Sequence, residues 1–403
     1  MNDFTKLGAD YFRDPHPLNE RLRAECPVAE VEMPGGYSAW IVTRYDDVRA
    51  VLNDERLTKD WRKLVPASSA DASSEAAQLN LLSVNMLNMD PPDHSRLRKR
   101  VSKAFTARGV ENLRPRVEAI VSALLDDLAA HDGDEVDLIE SFAFPLPISV
   151  ICELLGVPES DRDKFRRWAV VFASAVVTAK EERAAAAEVM AYFGTLLAAQ
   201  EADPGSSDDL LSALLHPQED GDKLTENELI SLMLLLVNAG HATTLSFIAT
   251  GMLTLMHDPA VQARLRRDRS LLPAAVEELL RYTTPVNHAT MRFTTAPTTI
   301  AGTEIPAEQI VIAALSSANW DQSRFGSPDL VDVERDTARH LAFGYGRHFC
   351  LGAPLARLEA EVAFAGLLDR FPAMTLAGAV SDLRWRPSTF LRCPEALPVR
   401  LRG

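Results

Sequence analysis

Cysteine is scarce in this sequence. Its 403 residues contain 4 cysteines, which are widely spaced and include no C-x-x-C pair. Disulfide frameworks and structural zinc sites both depend on closely or regularly spaced cysteines, so we expect neither here. Thiols without such a framework fit a reducing compartment, and the sequence therefore predicts a cytoplasmic protein.

Long apolar runs and an excess of positive charge are also missing. The longest strongly apolar run, Leu232 to Val237, is far shorter than the roughly 20 residues that a membrane-spanning helix requires. Between Met1 and Phe12 the sequence lacks the basic start and apolar stretch of a signal peptide. The net charge is -15, which repels polyanions such as nucleic acids. We therefore expect neither a membrane nor a nucleic acid among the partners.

Helical patterning dominates what is present. Hydrophobic residues make up 47% of the chain, enough for a large core. They recur at helical spacing in three stretches, Val117 to Ala130, Ser160 to Glu201 and Thr225 to His257. The runs that read as strands suffice for one small sheet; they are Ala39 to Thr43, Thr298 to Ile300, Ile310 to Ala313 and Ala396 to Leu401. The Ser/Ala-rich segment Pro66 to Ala77 is typical of a mobile surface loop. With no internal repeat and no linker, residues 1–403 are predicted to form a single domain, mainly α with a small β region.

One long helix has a readable start. Thr225 and Glu228 form a capping box, and the helical pattern then continues to Pro259. The stretch from Leu229 to Val237 is apolar nearly all round, which is typical of a buried central helix. Gly240 lies in the middle of this helix, where glycine costs about 1 kcal/mol relative to alanine. Some neighbour must therefore need the missing side chain.

The segment around Cys350 carries the clearest chemical signal. It reads F-G-Y-G-R-H-F-C-L-G from Phe343 to Gly352, and a helical pattern follows from Ala353. Glycines before the cysteine allow a tight turn and the close approach of a flat ligand. A helix N-terminus favours the thiolate form, which can ligate a metal. A cysteine judged without its neighbours would more often be a small buried hydrophobe.

This segment resembles the haem-binding loop of the cytochrome P450 family, F-x-x-G-x-[R/H]-x-C-x-G. The matching residues are Phe343, Gly346, His348, Cys350 and Gly352. The resemblance implies the P450 fold, a triangular helical prism in which haem lies between the long central helix and the helix after the cysteine. It also implies haem b (iron protoporphyrin IX) as the cofactor and Cys350 as the ligand of its iron.

Three further matches extend the resemblance along the chain. Glu278 and Arg281 form an E-x-x-R pair, whose members are neighbours on a helix. An exposed helix often carries such a pair, but in the family it belongs to a buried structural network, completed here by Arg335.

His94 and Arg98 are four residues apart, so on a helix they share one face. A basic stretch of this kind is usually a solvated face. The resemblance instead implies that both bind the haem propionates, with Arg292 and His348 completing the set. Four cationic or hydrogen-bonding side chains suit two carboxylates in a dry pocket.

The central helix contains A-G-H-A-T-T at residues 239–244, which looks like the family's oxygen-activating motif [A/G]-G-x-[D/E]-T-[T/S]. The resemblance implies that Thr243 hydrogen-bonds dioxygen and that Gly240 leaves room for haem and oxygen. The sequence departs from the motif at Ala242, where the family usually has an acid. Alanine cannot act as a general acid, so protons must come from water, His241 or a substrate group.

The resemblance implies a monooxygenase that hydroxylates or epoxidises a bulky apolar small molecule, most like a macrolide or polyketide. Its pocket would be lined by Leu235, Asn238, Ala239, Thr243, Val286, Asn287 and Phe390, and the segment from Lys59 to Leu87 would form a lid. Without a G-x-G-x-x-G after a strand, no fused reductase is predicted. Electrons would come from a ferredoxin and an NAD(P)H-dependent ferredoxin reductase, and we expect a monomer. Lys99, Arg100, Lys103 and Arg347 could form a basic landing site for the ferredoxin.

Two alternatives stay open at this point. A peroxide-driven peroxygenase is favoured by Ala242, whereas the presence of Thr243 argues against it. A non-catalytic P450-like helper protein is the other alternative. Such helpers lose the haem cysteine, and this chain has Cys350.

Overall fold

The computed structural model describes residues 7–34, 36–64, 85–102, 105–173, 178–202, 214–215 and 223–402. The Ser/Ala-rich segment Pro66 to Ala77, most of the predicted lid and Lys103 lie outside the described residues. The elements below are those of the described part of the chain.

Helices are the main element, as the sequence predicts. Their bounds are α1 Ala9–Arg13, α2 His16–Glu25, α3 Tyr45–Leu52, α4 Asp93–Ser102, α5 Ala107–Glu111, α6 Arg114–Ala129, α7 Pro145–Leu154, α8 Arg162–Ala173, α9 Ala179–Ala202, α10 Glu226–His257, α11 Pro259–Arg267, α12 Leu272–Thr283, α13 Leu315–Asn319 and α14 Ala353–Arg370. The strands are β1 Val28–Glu32, β2 Ser38–Val42, β3 Leu57–Thr58, β4 Glu135–Asp137, β5 Arg292–Thr294, β6 Thr298–Ile300, β7 Thr303–Ile305, β8 Ile310–Ala313, β9 Thr375–Leu376 and β10 Pro398–Arg400.

The strands form three sheets in the described residues, so the prediction of one small sheet is wrong. The largest has the order β1-β2-β8-β5-β3, and the others are β4-β10-β9 and the hairpin β6-β7. Only the β2–β8 pair of the largest sheet is parallel, with Ile41 opposite Ile312. The sequence predicts one strand of each extra sheet, β6 and β10, but not their partners β4, β7 and β9, which have only two or three residues.

The chain divides into two compact units. The first consists of Met1–Lys59, Val121–Ala143 and Thr243–Gly403, and it contains the three sheets. Two hydrophobic clusters lie against its largest sheet, one around Val48 and Val311, the other around Leu22 and Ile41.

The second unit consists of Asp60–Ile120 and Phe144–Ala242. Its described residues are helical, and α8 packs on α9 through edge-to-face aromatic contacts. The ring centroids of Phe165 and Tyr192 are 5.3 Å apart, and those of Trp168 and Tyr192 are 5.7 Å apart. The indole N–H of Trp168 donates to Glu188 at 3.0 Å, so this helix pair is tied by both packing and a hydrogen bond.

Helix α10 begins at the predicted capping box. The Thr225 N–H donates to the Glu228 carboxylate at 2.9 Å, and the Glu228 N–H donates to the Thr225 hydroxyl at 3.3 Å. An 18-residue window of α10 has a mean hydropathy of 1.6, so its length and composition would allow it to cross a membrane. However, 61% of that window is buried inside the protein, which is typical of the core helix of a soluble protein.

Candidate active site

The loop before α14 is shaped by two glycines. Gly344 and Gly346 have φ values of 72° and 75°, a backbone conformation that other residues rarely adopt. A side chain at Gly346 is also excluded, because its Cβ would lie 2.5 Å from Oδ1 of Asn53. The N–H of Cys350 donates to the carbonyl oxygen of Phe343 at 2.9 Å and closes the loop. Two glycines and one backbone hydrogen bond therefore fix the direction in which Cys350 points.

Cys350 differs from the other three cysteines in its exposure. Cys152 and Cys393 are buried, and burial raises the pKa of each thiol to about 12. Cys26 is half-buried, and its thiol donates to the carbonyl oxygen of Val28 at 3.4 Å. Cys350 is exposed and precedes α14. It is thus the exposed residue among the four cysteines.

Helix α10 has an accessible stretch in its middle. Most of the helix is buried, but Asn238 and Ala239 are exposed, and Leu235 and Ala242 are half-buried. These four positions are spaced by three or four residues, so they share one helix face. Thr243 follows and is also half-buried. The predicted oxygen-binding and substrate-binding residues of α10 therefore lie in a stretch that small molecules can reach.

The glycine at position 240 is explained by helix packing, which the sequence did not reveal. A Cβ atom there would lie 3.0 Å from Cδ1 of Ile151, on α7. That distance is tighter than ordinary side-chain contact, so the glycine lets α7 approach α10 closely. Helix packing accounts for the missing side chain, and a role of Gly240 in oxygen binding stays a prediction.

His241 points to the interior of the second unit. Its ring is 2% exposed, its Nε2 lies 3.2 Å from the carbonyl oxygen of Phe144, and the two rings stack edge to face at 4.4 Å. These contacts favour a packing role. Of the proton sources considered for Ala242, water and a substrate group fit the structure better than His241.

Helix α4 carries His94 and Arg98. His94 is 3% exposed, whereas Arg98 is half-buried. Arg96, between them, forms an ion pair with Glu228 at the start of α10. Both elements belong to the second unit, so this pair fixes α4 against the capped end of the central helix.

Arg292 and the cysteine loop meet the same end of α3. Arg292 is 4% exposed in β5, and its guanidinium donates to the carbonyl oxygen of Leu52 at 3.3 Å. The next residue, Asn53, is the one that contacts Gly346. His348 lies in the turn after Gly346 and is half-buried. The structure thus brings Arg292 and the cysteine loop together around residues 52 and 53.

Glu278, Arg281 and Arg335 form one buried network. Arg281 donates to both carboxylate oxygens of Glu278, at 2.7 and 2.8 Å, and both side chains are 0% exposed. Arg335 donates to Glu278 at 3.2 Å. The remaining donors of Arg281 bind the carbonyl oxygens of Asn319, Pro328 and Leu330. The network joins α12 to the segment that leads to the cysteine loop.

Three residues of the predicted pocket, Val286, Asn287 and Phe390, lie close together. Val286 and His288 form isolated bridges to Leu391 and Ala314, and Asn287 between them lies at a bend. Val286 is half-buried and Asn287 is buried, and their role in a pocket stays a prediction. The N–H of Asn287 donates to the carbonyl oxygen of Phe390 at 2.8 Å, and Phe390 is 39% exposed.

One residue of the predicted landing site does not suit that role. Arg100 is 6% exposed, and its guanidinium lies 3.4 Å from the carbonyl oxygen of Leu214, so it cannot meet a partner protein. Arg347 forms an ion pair with Glu55 at 2.7 Å. Lys99 is exposed. Basic residues on an amphipathic helix cannot be assigned to its exposed face from composition alone.

Sequence reasoning missed Glu277, His340 and Arg357. Arg357 donates two hydrogen bonds to Glu277, at 2.6 and 2.9 Å, and Nε2 of His340 lies 3.1 Å from the same carboxylate. Burial opposes ionisation, but the hydrogen bonds from His340 and Arg357 lower the pKa of Glu277 to about 2. The available signals were the second glutamate beside Glu278 and the arginine seven residues after Cys350.

The site chemistry fits one class of protein. Among the described residues no group of three or more His, Cys, Asp or Glu side chains could hold a metal ion. A haem iron would need one ligand from the protein, because the porphyrin supplies four nitrogen ligands. An accessible cysteine in a glycine turn before a helix is suited to that role, so the site has the features of a haem-thiolate protein.

Comparisons with known proteins identify the family. The Cytochrome P450 family model matches residues 156–379. Cytochrome P450 107B1 of Saccharopolyspora erythraea is 47% identical over 401 residues, covering 99% of this chain and 98% of that protein. The 6-deoxyerythronolide B hydroxylase of the same organism is 44% identical over 414 residues, covering 100% of both. The solved structure of the Bacillus subtilis 168 bacillaene polyketide synthase cytochrome P450 PksS has a TM-score of 0.91 and 38% identity, covering 98% of this chain and 99% of that one.

The chain belongs to the cytochrome P450 family and has the P450 fold. It is an oxidoreductase that incorporates oxygen from O2. Membership of the family implies a haem-thiolate cofactor and the use of a redox partner.

Proposed function

We propose that this chain is a haem-thiolate monooxygenase that inserts one oxygen atom of O2, by hydroxylation or epoxidation, into a bulky apolar macrolide- or polyketide-type molecule. The observation that carries the proposal is the exposure of Cys350, alone among the four cysteines, in a glycine turn before a helix. Relatives named for a hydroxylase and for a polyketide synthase P450 support the substrate class.

Haem b is the proposed cofactor, with Cys350 as the iron ligand. His94, Arg98, Arg292 and His348 are the proposed partners of the propionates. His94 and Arg292 are nearly fully buried, at 3% and 4% exposure. Buried donors suit this task, because a carboxylate taken out of water needs charge-assisted hydrogen bonds in compensation. Phe343, Gly346 and Gly352 shape the loop that presents the cysteine.

When bound, the haem supplies electron-rich iron at which O2 is cleaved. Thr243 would hold a proton donor beside the oxygen through its hydroxyl group. Ala242, next to it, adds no acid, so the proton would come from water or from the substrate. Leu235, Asn238, Ala239, Val286, Asn287 and Phe390 would position the substrate.

The proposed electron donors are a ferredoxin and its NAD(P)H-dependent reductase. Among the described residues of the predicted landing site, Lys99 is exposed and Arg347 is paired with Glu55. We propose a monomer working in the cytoplasm, without a nucleic acid or a membrane as partner.

The carbon monoxide spectrum of the reduced protein tests the proposal. The wild type should show the red-shifted Soret band of thiolate-ligated haem, and Cys350→Ala should lose it. Cys26→Ala is the matched control, because Cys26 is also partly accessible but lies in no glycine turn. If Cys350→Ala kept the band while Cys26→Ala lost it, the ligand would be misassigned.

A peroxide-driven peroxygenase is the second candidate, and Ala242 is the residue that favours it. Peroxide brings its own oxygen and protons, so an acid at this position would not be needed. Turnover of one substrate should be compared with ferredoxin, reductase and NAD(P)H and with peroxide alone. Efficient turnover by peroxide alone would replace the monooxygenase proposal.

A further inference from the structure

Two successive glutamates of α12 serve different networks. Glu278 belongs to the buried network with Arg281 and Arg335. Glu277 is 25% exposed, and each of its carboxylate oxygens accepts from Arg357. A bidentate pair of this kind fixes the relative orientation of two groups as well as their distance. It therefore ties α12 to α14, the helix that follows Cys350.

His340 connects Glu277 to the chain before the cysteine loop. Its Nδ1 accepts the N–H of Ala342 at 3.1 Å, so in this geometry the proton is on Nε2, which donates to Glu277 at 3.1 Å. The N–H of the intervening Leu341 donates to Oδ1 of Asn319 at 2.7 Å. Three consecutive residues, 340–342, are thus held by side-chain hydrogen bonds just before Phe343.

Arg357 reaches the same loop from the other side of Cys350. Its guanidinium carbon lies 4.6 Å from the centre of the Phe343 ring, within cation–π distance. The carbonyl oxygen of Phe343 accepts the N–H of Cys350. A continuous chain of contacts therefore runs from Glu277 through Arg357 and Phe343 to the backbone of Cys350.

We infer that Glu277, His340 and Arg357 are positioning residues that hold both ends of the cysteine loop, and that they keep the loop in the conformation in which Cys350 can ligate haem. The inference rests on the proposed ligation by Cys350. Without the pair to Glu277, Arg357 can leave the Phe343 ring, and the loop loses a fixed contact on each side. The cysteine then spends more time in positions from which a thiolate does not reach the iron.

The test compares Arg357→Gln with Arg370→Gln in the holoenzyme. Arg370 lies on the same helix and pairs with Asp126, but this pair is half-exposed or more and remote from the loop. The first measurement is the rate at which the reduced, carbon monoxide-bound protein loses its red-shifted band in mild denaturant. We expect about a tenfold faster loss for Arg357→Gln, the effect of one lost charged hydrogen-bonding partner, and no change for Arg370→Gln.

The second measurement is amide hydrogen exchange of residues 341–350, which reports the loop without reference to the haem. Exchange in this segment should rise in Arg357→Gln and remain as in the wild type in Arg370→Gln. Arg357→Lys keeps the charge but not the two-point geometry, so its effects should be intermediate. His340→Asn keeps an acceptor for the N–H of Ala342 but loses the hydrogen bond to Glu277, while the Arg357 pair remains. Its effect should therefore be smaller than that of Glu277→Gln, which disturbs the contacts to both His340 and Arg357. The Glu277→Gln/Arg357→Gln pair should be less than additive.

Several outcomes would overturn the inference. It fails if Arg357→Gln lowers the global unfolding midpoint while loop exchange and band loss match those of Arg370→Gln. If Arg357→Gln does not fold, Arg357→Lys and Glu277→Gln decide, and wild-type loop exchange in both overturns it. A wild type without the red-shifted band would refute ligation by Cys350 instead, and hydrogen exchange would still decide whether the cluster holds the loop.

Discussion

Arg281→Met should destabilise the protein strongly, because the guanidinium is fully buried and uses every donor it has. Two N–H groups bind Glu278, and three bind the carbonyl oxygens of Asn319, Pro328 and Leu330 at 2.9–3.1 Å. Methionine fills much of the same volume but offers no donor. The substitution therefore leaves the carbonyl oxygens of Asn319 and Pro328 without this donor, whereas that of Leu330 keeps Arg335 at 3.3 Å. It also removes the main counter-charge of a buried carboxylate.

The expected loss of stability depends on the hydrogen bonds that Glu278 keeps. Removing one partner of a buried ion pair costs about 3–5 kcal/mol. Here Glu278 would still accept from Arg335 at 3.2 Å and from the Asp332 N–H at 2.9 Å. These contacts favour the lower end for the carboxylate, while the carbonyl oxygens of Asn319 and Pro328 each add on the order of 1 kcal/mol. We expect a loss of about 5 kcal/mol in the free energy of unfolding.

Chemical denaturation of the holoenzyme measures this loss, provided that the slope of the free energy of unfolding against denaturant concentration is unchanged. The surface-pair variant Arg370→Gln should lose about 0–1 kcal/mol and serves as the control. Haem retention should fall too, because Asn319 holds the N–H of Leu341 on the way to the cysteine loop. A loss under about 1 kcal/mol for Arg281→Met would contradict the reasoning from burial and hydrogen bonding.

Four further predictions concern the site and its surroundings. His94→Ala and Arg98→Ala should each raise the rate of haem loss to apomyoglobin, and unchanged loss in the double variant would place both residues outside the propionate site. Thr243→Ala should lower product per NAD(P)H and raise peroxide release with little change in substrate binding; equal coupling would remove Thr243 from oxygen activation. Ala242→Glu should raise turnover only if its carboxylate reaches water, since a packed carboxylate costs several kcal/mol, and thermal melting measured beside turnover separates the two cases. Burial raises the pKa of Glu359 to about 8 from an ordinary value of 4.5, so the native state keeps a proton that the unfolded chain has lost. Stability from this group is present below pH 4.5 and lost as the pH rises to about 8, and Glu359→Gln should remove that loss in a pH series of unfolding midpoints.

Local signals in the sequence could predict local structure. The capping box at Thr225 and the proline after His257 fix the ends of α10, because both act within one helical turn. Spacing alone brings Glu278 beside Arg281, since residues three apart on a helix are neighbours. The glycine pattern before Cys350 predicts a tight turn for the same local reason.

Contacts between distant segments could not be predicted in this way. Glu277 and Arg357 are 80 residues apart, and neither segment contains a sequence pattern that identifies the other as its partner. The burial of Arg100 depends on which face of α4 meets Leu214, and a row of basic residues does not reveal that face. Gly240 shows the same limit, because the reason for the glycine is Ile151 on another helix.

The middle of α10 is where the demands of the fold and of the site diverge. An interior helix gains stability by burying its whole circumference, yet this one leaves Asn238 and Ala239 exposed and Ala242 half-buried. Other residues of this stretch pack against neighbouring segments: His241 contacts Phe144, and Gly240 contacts Ile151. The accessible face therefore carries the small side chains of Ala239 and Ala242 and the Thr243 hydroxyl, but it carries no acidic side chain. In the proposed reaction, protons consumed at this face would come from solvent or from the molecule bound beside it. We therefore expect the shape and the polar groups of the substrate to affect how well oxygen use is coupled to product.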